Sequence, residues 1–151
     1  MVYKIAKKHL AGFIGWLDSL GGLSAYDNRE RVEFSTMLNE SVEQFKKDRE
    51  ALFESHVQKD ENGKNIEIEG DPQMKDKEAY EKEAVALSNS EAEFPIEDDD
   101  VEFFKHLKKL VLETEYKFGP SYGDSTAEKF RKIVESKGYH EWAKTFDNLE
   151  L

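Results

Sequence analysis

Between Ser24 and His56 the apolar side chains Phe34, Leu38, Val42, Phe45 and Leu52, with Arg49 completing the row, recur every three or four residues. That spacing sets them on one side of an α-helix. Ser24, three residues before Asp27, provides the N-cap. A helix running on to His56 is ~48 Å long at 1.5 Å per residue. It overhangs any small domain, so it must be the spine on which the rest packs. With 151 residues, the chain is long enough for one core and too short for two comfortable ones, and a single domain spanning 1–151 is expected.

Four further helical rows and a tail flank the spine. Ala6, Leu10, Phe13, Leu17 and Leu20 alternate by four and three, and Gly21 and Gly22 stop that first helix. Tyr80, Ala84 and Leu87 mark a helix near Lys77–Ser88. Phe104, Leu107, Val111, Thr114 and Phe118 mark another from Val101 to Lys117. FGPSYG, Phe118 to Gly123, reads as a turn, after which Ser125 and Glu128 form a capping box for a helix from Thr126 to Lys137 that buries Phe130, Ile133 and Val134 and stops at Gly138. Trp142, Phe146, Leu149 and Leu151 equip the tail to add a short helix or to dock on the body.

The segment KDENGKN, Lys59 to Asn65, has the superficial look of a calcium loop. An EF-hand would place ligands at Gln58, Asp60 and Asn62, its glycine at Gly63 and its bidentate acid at Glu69. Gln58 is a poor first ligand, and NIEIEG, Asn65 to Gly70, alternates with the period of a strand where a second helix should begin. The better reading is a hairpin near 57–69 that reverses at Asn62 and Gly63. AEFPIE, Ala92 to Glu97, alternates too, and Pro95 confines it to a sheet edge. NIEIEG is its expected partner. The fold class is therefore α+β, mostly helical: a long central helix with antiparallel helices and a small antiparallel sheet, made of the hairpin near 57–69 and the edge strand near 92–97.

No side-chain set announces a chemistry. Cysteine is absent, which removes disulfides, thiolate nucleophiles and cysteine zinc sites together. His9, His56, His106 and His140 lack any metal-ligand spacing. There is no glycine-rich phosphate loop and no Gly-x-Ser-x-Gly elbow, and the longest apolar stretch, Leu10 to Leu20, is too short for a bilayer. The residues thus point to no enzyme, no catalytic residue, no metal and no cofactor.

Charge carries more information. With 33 acids and 22 bases the net charge is −11, which disfavours direct contact with nucleic acid or anionic membrane and favours a protein partner with a basic surface. The charge is also segregated: Glu91, Glu93, Glu97, Asp98, Asp99, Asp100 and Glu102 occur together with no base among them. Three readings stand. The block is a solvated loop whose acids favour the next helix start, or a docking surface for a basic groove, or a weak divalent-cation site at Asp98 to Asp100. A second candidate surface is the first helix, where Lys4, Lys7 and Lys8 lie beside Phe13, Ile14 and Trp16. Its length and glycine stop favour packing on the spine over a membrane or a partner.

The run RERVEFSTMLNESVEQFKKDREALFE, then KDENGKNIEIEG, then EFPIEDDD, then FFKHLKKLVLETEYKF, resembles a family of small acidic phage proteins of Gram-positive bacteria classed as a domain of unknown function. The likeness covers roughly Lys4 to Ser136 and is most specific at Lys59 to Lys64. It implies a phage accessory protein of the host cytoplasm and carries over no functional residues. The function expected is binding to a host or phage protein complex, by occlusion of a basic nucleic-acid groove, as an anti-defence protein or transcription inhibitor would do. The alternative is a virion assembly protein or chaperone that self-associates through the long helix.

Overall fold

A computed structural model describes residues 1–118 and 138–151, with backbone alone over 114–118. The expected turn at Phe118–Gly123 and helix at Thr126–Lys137 lie outside the described residues.

The spine, helix α2, runs from Ala25 to His56. Ser24 Oγ accepts the Asp27 N–H at 3.1 Å, filling one of the donors that a helix start leaves open. Replacing Ser24 with alanine is expected to cost ~1 kcal/mol, readable as a lower urea midpoint with an unchanged slope. Phe34 and Leu38 enter the main core and Phe45 is buried further along, with the Arg49 guanidinium 4.7 Å from its ring centroid.

Helix α1, Leu10–Ser19, folds back on the first half of α2. Phe13 meets Phe34 edge-on at 5.8 Å, and Asp18 accepts from Arg31 at 3.3 Å and Ser35 at 3.1 Å. The apolar side of α1 is thus spent on the core, with Trp16 fully buried between Phe13 and Trp142.

Two expectations about the strands are corrected. The first helical row was expected to begin at Ala6, yet Val2–Ala6 is a strand, β1, and Lys7–His9 a single 3₁₀ turn before α1. Tyr3 and Ile5 point inward with period two and are 0 % and 1 % exposed. Its partner decides the matter: β4, Glu91–Pro95, lies antiparallel to it, with Tyr3 opposite Phe94 and Ile5 opposite Ala92. NIEIEG is therefore not the partner of AEFPIE. A strand two residues wide on its inner face needs only another with the same inner pair, and β1 supplies Tyr3 and Ile5 where NIEIEG would supply exposed Ile66 and Ile68. Pro95 sits at the end of this two-stranded sheet, where its missing N–H costs nothing.

The hairpin region forms a separate ribbon at the far end of α2. Lys59 bridges Asn65, and the turn between them is closed by Gly63, whose φ is 76°. Asp60 Oδ1 accepts the N–H groups of Asn62 and Lys64 at 2.8 and 3.0 Å, so this carboxylate builds the turn. The chain then turns again at Glu69 and Gly70, both at positive φ, pairing β2, Glu67–Ile68, with β3, Asp71–Pro72. Helix α3, Lys77–Asn89, capped by Asp76, packs beside the end of α2: Tyr80 meets Phe53 and His56, and His56 bonds Glu83.

Helix α4, Val101–Phe118, buries Phe104, Leu107 and Val111 as its spacing predicts, and Phe103 besides. The Thr114 and Phe118 side chains lie outside the described residues. The tail docks on the core through helix α5, Tyr139–Ala143, and a 3₁₀ turn at Lys144–Phe146. Gly138 opens α5 at φ 105°, and a Cβ there would stand 3.0 Å from His9 Nδ1, so both backbone and space require glycine. The centre of the core is aromatic: Tyr3, Phe13, Trp16, Phe34, Phe104, Trp142 and Phe146 meet at ring separations of 5.0 to 6.1 Å.

Candidate functional site

The acidic block begins on β4 and runs through the following turn into α4. Ile96 is the last buried residue before the turn, anchored by donating its N–H to the Met1 carbonyl at 2.8 Å. Asp98–Asp100 form one 3₁₀ turn. Glu97 and Asp100 close it reciprocally, each side chain accepting the other's backbone N–H. These two acids therefore serve the helix start, as the solvated-loop reading requires.

The remaining five divide. Glu93 is bound by Lys4 across the sheet at 2.8 Å, and Glu102 by Lys105 along α4 at 2.8 Å. Both pairs are half-exposed or more, so they add little stability but neutralise two of the block's charges. The Glu93 hydrogen bond, then its charge, raises the Lys4 ammonium above the usual lysine range, with Glu91 contributing less. Glu91, Asp98 and Asp99 have no basic side chain within ion-pair distance among the described residues. The seven acids thus lie on successive elements: Glu91 and Glu93 on the sheet, Glu97 to Asp100 at the turn and Glu102 in the first turn of α4.

What the turn faces was not legible in the acidic run. Tyr26, in the first turn of α2, donates its hydroxyl to the Asp99 carbonyl at 2.7 Å. Partial desolvation, then the charges of Glu30, Asp100 and Asp99, raises the Tyr26 phenol above its ordinary value. Nearby, His106 of α4 and Asp27 of α2 bond at 2.6 Å, fixing the two helices at this end. Between α2 and the turn lies a cleft of about 110 Å³ bounded by Glu30, Glu33, Met37, Pro95, Asp100 and Phe103. Glu30 is buried on its wall, and its ion-pair partner among the described residues is the exposed Arg29 guanidinium, at 3.4 Å. Glu33 has no ion-pair partner among the described residues. Tyr26, Glu30, Glu33 and Met37 recur by four, three and four, and this spacing was the available signal for a second acidic row.

No three histidine or acidic side chains converge at metal-binding distance among the described residues. No helix among the described residues is long and apolar enough to cross a membrane. Comparison with protein-family models, curated proteins and solved structures finds no match to this chain.

Proposed function

We propose that this chain is a non-enzymatic phage accessory protein of the host cytoplasm that docks an acidic face on a basic protein surface and covers a nucleic-acid groove there. The observation that supports it is that Asp100 shares a cleft with Glu30 and Glu33, beside a turn whose Asp98 and Asp99 have no ion-pair partner among the described residues. Arg29, on Glu30, is the one base in ion-pair reach of these five acids among the described residues. Dense like charge destabilises a compact chain through self-repulsion unless a counter-charge answers it. A basic partner removes that repulsion on binding and is steered to the face from solution. The phage setting rests on the sequence resemblance.

The test is capture of host proteins on the immobilised chain, compared with an Asp98→Asn, Asp99→Asn variant. Retention is expected to fall steeply between ~0.1 M and ~1 M salt, where the screening length shrinks from about 10 to 3 Å, and to fall with the variant. The captured protein is expected to release its bound nucleic acid. Retention indifferent to both salt and variant rejects occlusion by charge.

One observation favours assembly instead: Val32 and Met37 are exposed apolar side chains of α2. Light scattering separates the readings, because self-association through the spine gives a concentration-dependent oligomer.

A further inference from the structure

The segment KDENGKN holds the chain's one Asn-Gly dipeptide, Asn62–Gly63. An asparagine side-chain carbonyl carbon lies within reach of the next backbone nitrogen, and glycine leaves that nitrogen unshielded because it has no Cβ. The fold sets this pair at an exposed tip: every residue from Lys59 to Pro72 is exposed, and Gly63 stands at φ 76°. One restraint acts on the nitrogen, since the Gly63 N–H donates to the Asp60 carbonyl at 3.1 Å. Breaking that bond uncovers no apolar core, so the tip opens at little cost. The other asparagines are held. Asn28 and Asn65 accept from Arg31 and Lys59 at 3.0 and 3.1 Å, and Asn39 donates to the Ser35 carbonyl at 2.8 Å. Asn89 and Asn148 precede Ser90 and Leu149, whose N–H groups are bonded to the Ala86 and Phe146 carbonyls. Ser90 is fixed further by the Lys7 N–H on its own carbonyl at 2.9 Å, and Leu149 is buried. The Asn62 side chain has no such partner among the described residues.

We propose that Asn62 is a self-modification site, converted through a cyclic imide to aspartate and isoaspartate. The Gly63 nitrogen bonds to Asn62 Cγ, the Cγ–Nδ2 bond breaks, and Nδ2 leaves as ammonia with the proton from Gly63. Water then opens the imide, so amide and water become acid and ammonia with no change of oxidation state. Opening at Cγ gives aspartate and keeps the backbone. Opening at the Asn62 main-chain carbonyl gives isoaspartate and lengthens the chain by one methylene. Asp60 Oδ1 holds the N–H groups of Asn62 and Lys64 at 2.8 and 3.0 Å, and the longer chain cannot keep both. Either product adds a negative charge beside Asp60 and Glu61. The modification is independent of the docking function above.

The experiment incubates the full chain at mildly alkaline pH, folded and in urea, and follows it by peptide mapping with mass spectrometry and by assay of released ammonia. In the folded chain Asn62 is expected to convert about tenfold faster than any other asparagine, ~1.4 kcal/mol off the barrier. Chromatography is expected to resolve its aspartate and isoaspartate products. The ammonia release is expected to be lost in Asn62→Gln, whose longer side chain closes an imide far more slowly and whose position is exposed. Conversion in urea but not in the folded chain would show that the Gly63 hydrogen bond guards the site, and it overturns the proposal. Conversion of Asn89 as fast as Asn62 overturns it as well.

Discussion

Trp142→Ala is expected to cost ~3–5 kcal/mol, enough to leave the chain largely unfolded at room temperature if its total stability is typical of a small domain. The indole is 2 % exposed and touches Phe13 at 5.0 Å, Trp16 at 5.5 Å and Tyr139 at 4.8 Å. Removing it opens a cavity bounded by rings that are themselves wedged against Tyr3 and Phe34, so the site cannot collapse cheaply. The loss also reports on architecture. Trp142 lies in the tail, beyond the helices whose rows dominate the sequence, and only a tail integral to the core makes its truncation this costly. Urea unfolding followed by far-ultraviolet circular dichroism measures it. A change below about 1 kcal/mol, the scale of a surface substitution, would show that the tail is not packed as described.

Alkaline pH is expected to unfold the protein through Tyr3. Burial raises this phenol well above its ordinary value of 10.0, and the Thr145 hydroxyl, bonded to it at 2.9 Å, offsets only part of the effect. The folded chain therefore holds the phenolic proton more tightly than the unfolded chain does. Its contribution to stability is complete below pH 10.0 and declines as pH rises beyond, by up to ~1.4 kcal/mol per pH unit. Tyr3→Phe keeps the ring and removes the proton. Near neutral pH the variant is expected to lose ~1 kcal/mol with the hydrogen bond to Thr145. Above pH 10.0 its stability is expected to fall less steeply than that of the parent chain, until the two curves cross. Chemical denaturation over a pH series measures both slopes. Parallel curves would mean that Tyr3 is not sealed in the core.

These two residues also mark where reading the chain in order falls short. Helix α2 was legible to its ends, because its cap is three residues from the donor it satisfies and its row repeats within the same segment. The start of α4 was legible for the same reason. Strand β1 was not: Ala6 and Leu10 fit the helical row of α1, and the strand that overrides that row, Glu91–Pro95, lies far along the chain. The acidic block was plain as a run of charge, but its division was not. Glu93 finds Lys4 only because β1 pairs with β4, and the turn finds Tyr26 across 73 positions. Glu30 and Glu33 looked like ordinary outer positions of a long helix until the turn was set against them.

By itself the sequence determined the local matters: where the long helix begins and ends, that the chain reverses at Asn62 and Gly63, and that negative charge gathers before α4. Those outcomes depend on neighbours a few residues apart, whose geometry periodicity and capping already fix. Only the tertiary structure decided which strands pair, that the tail completes the aromatic core, and that Glu30 and Glu33 of α2 share a cleft with Asp100 of the acidic turn. Such contacts join segments whose separation in sequence places no geometric limit on them, so packing in three dimensions makes the choice.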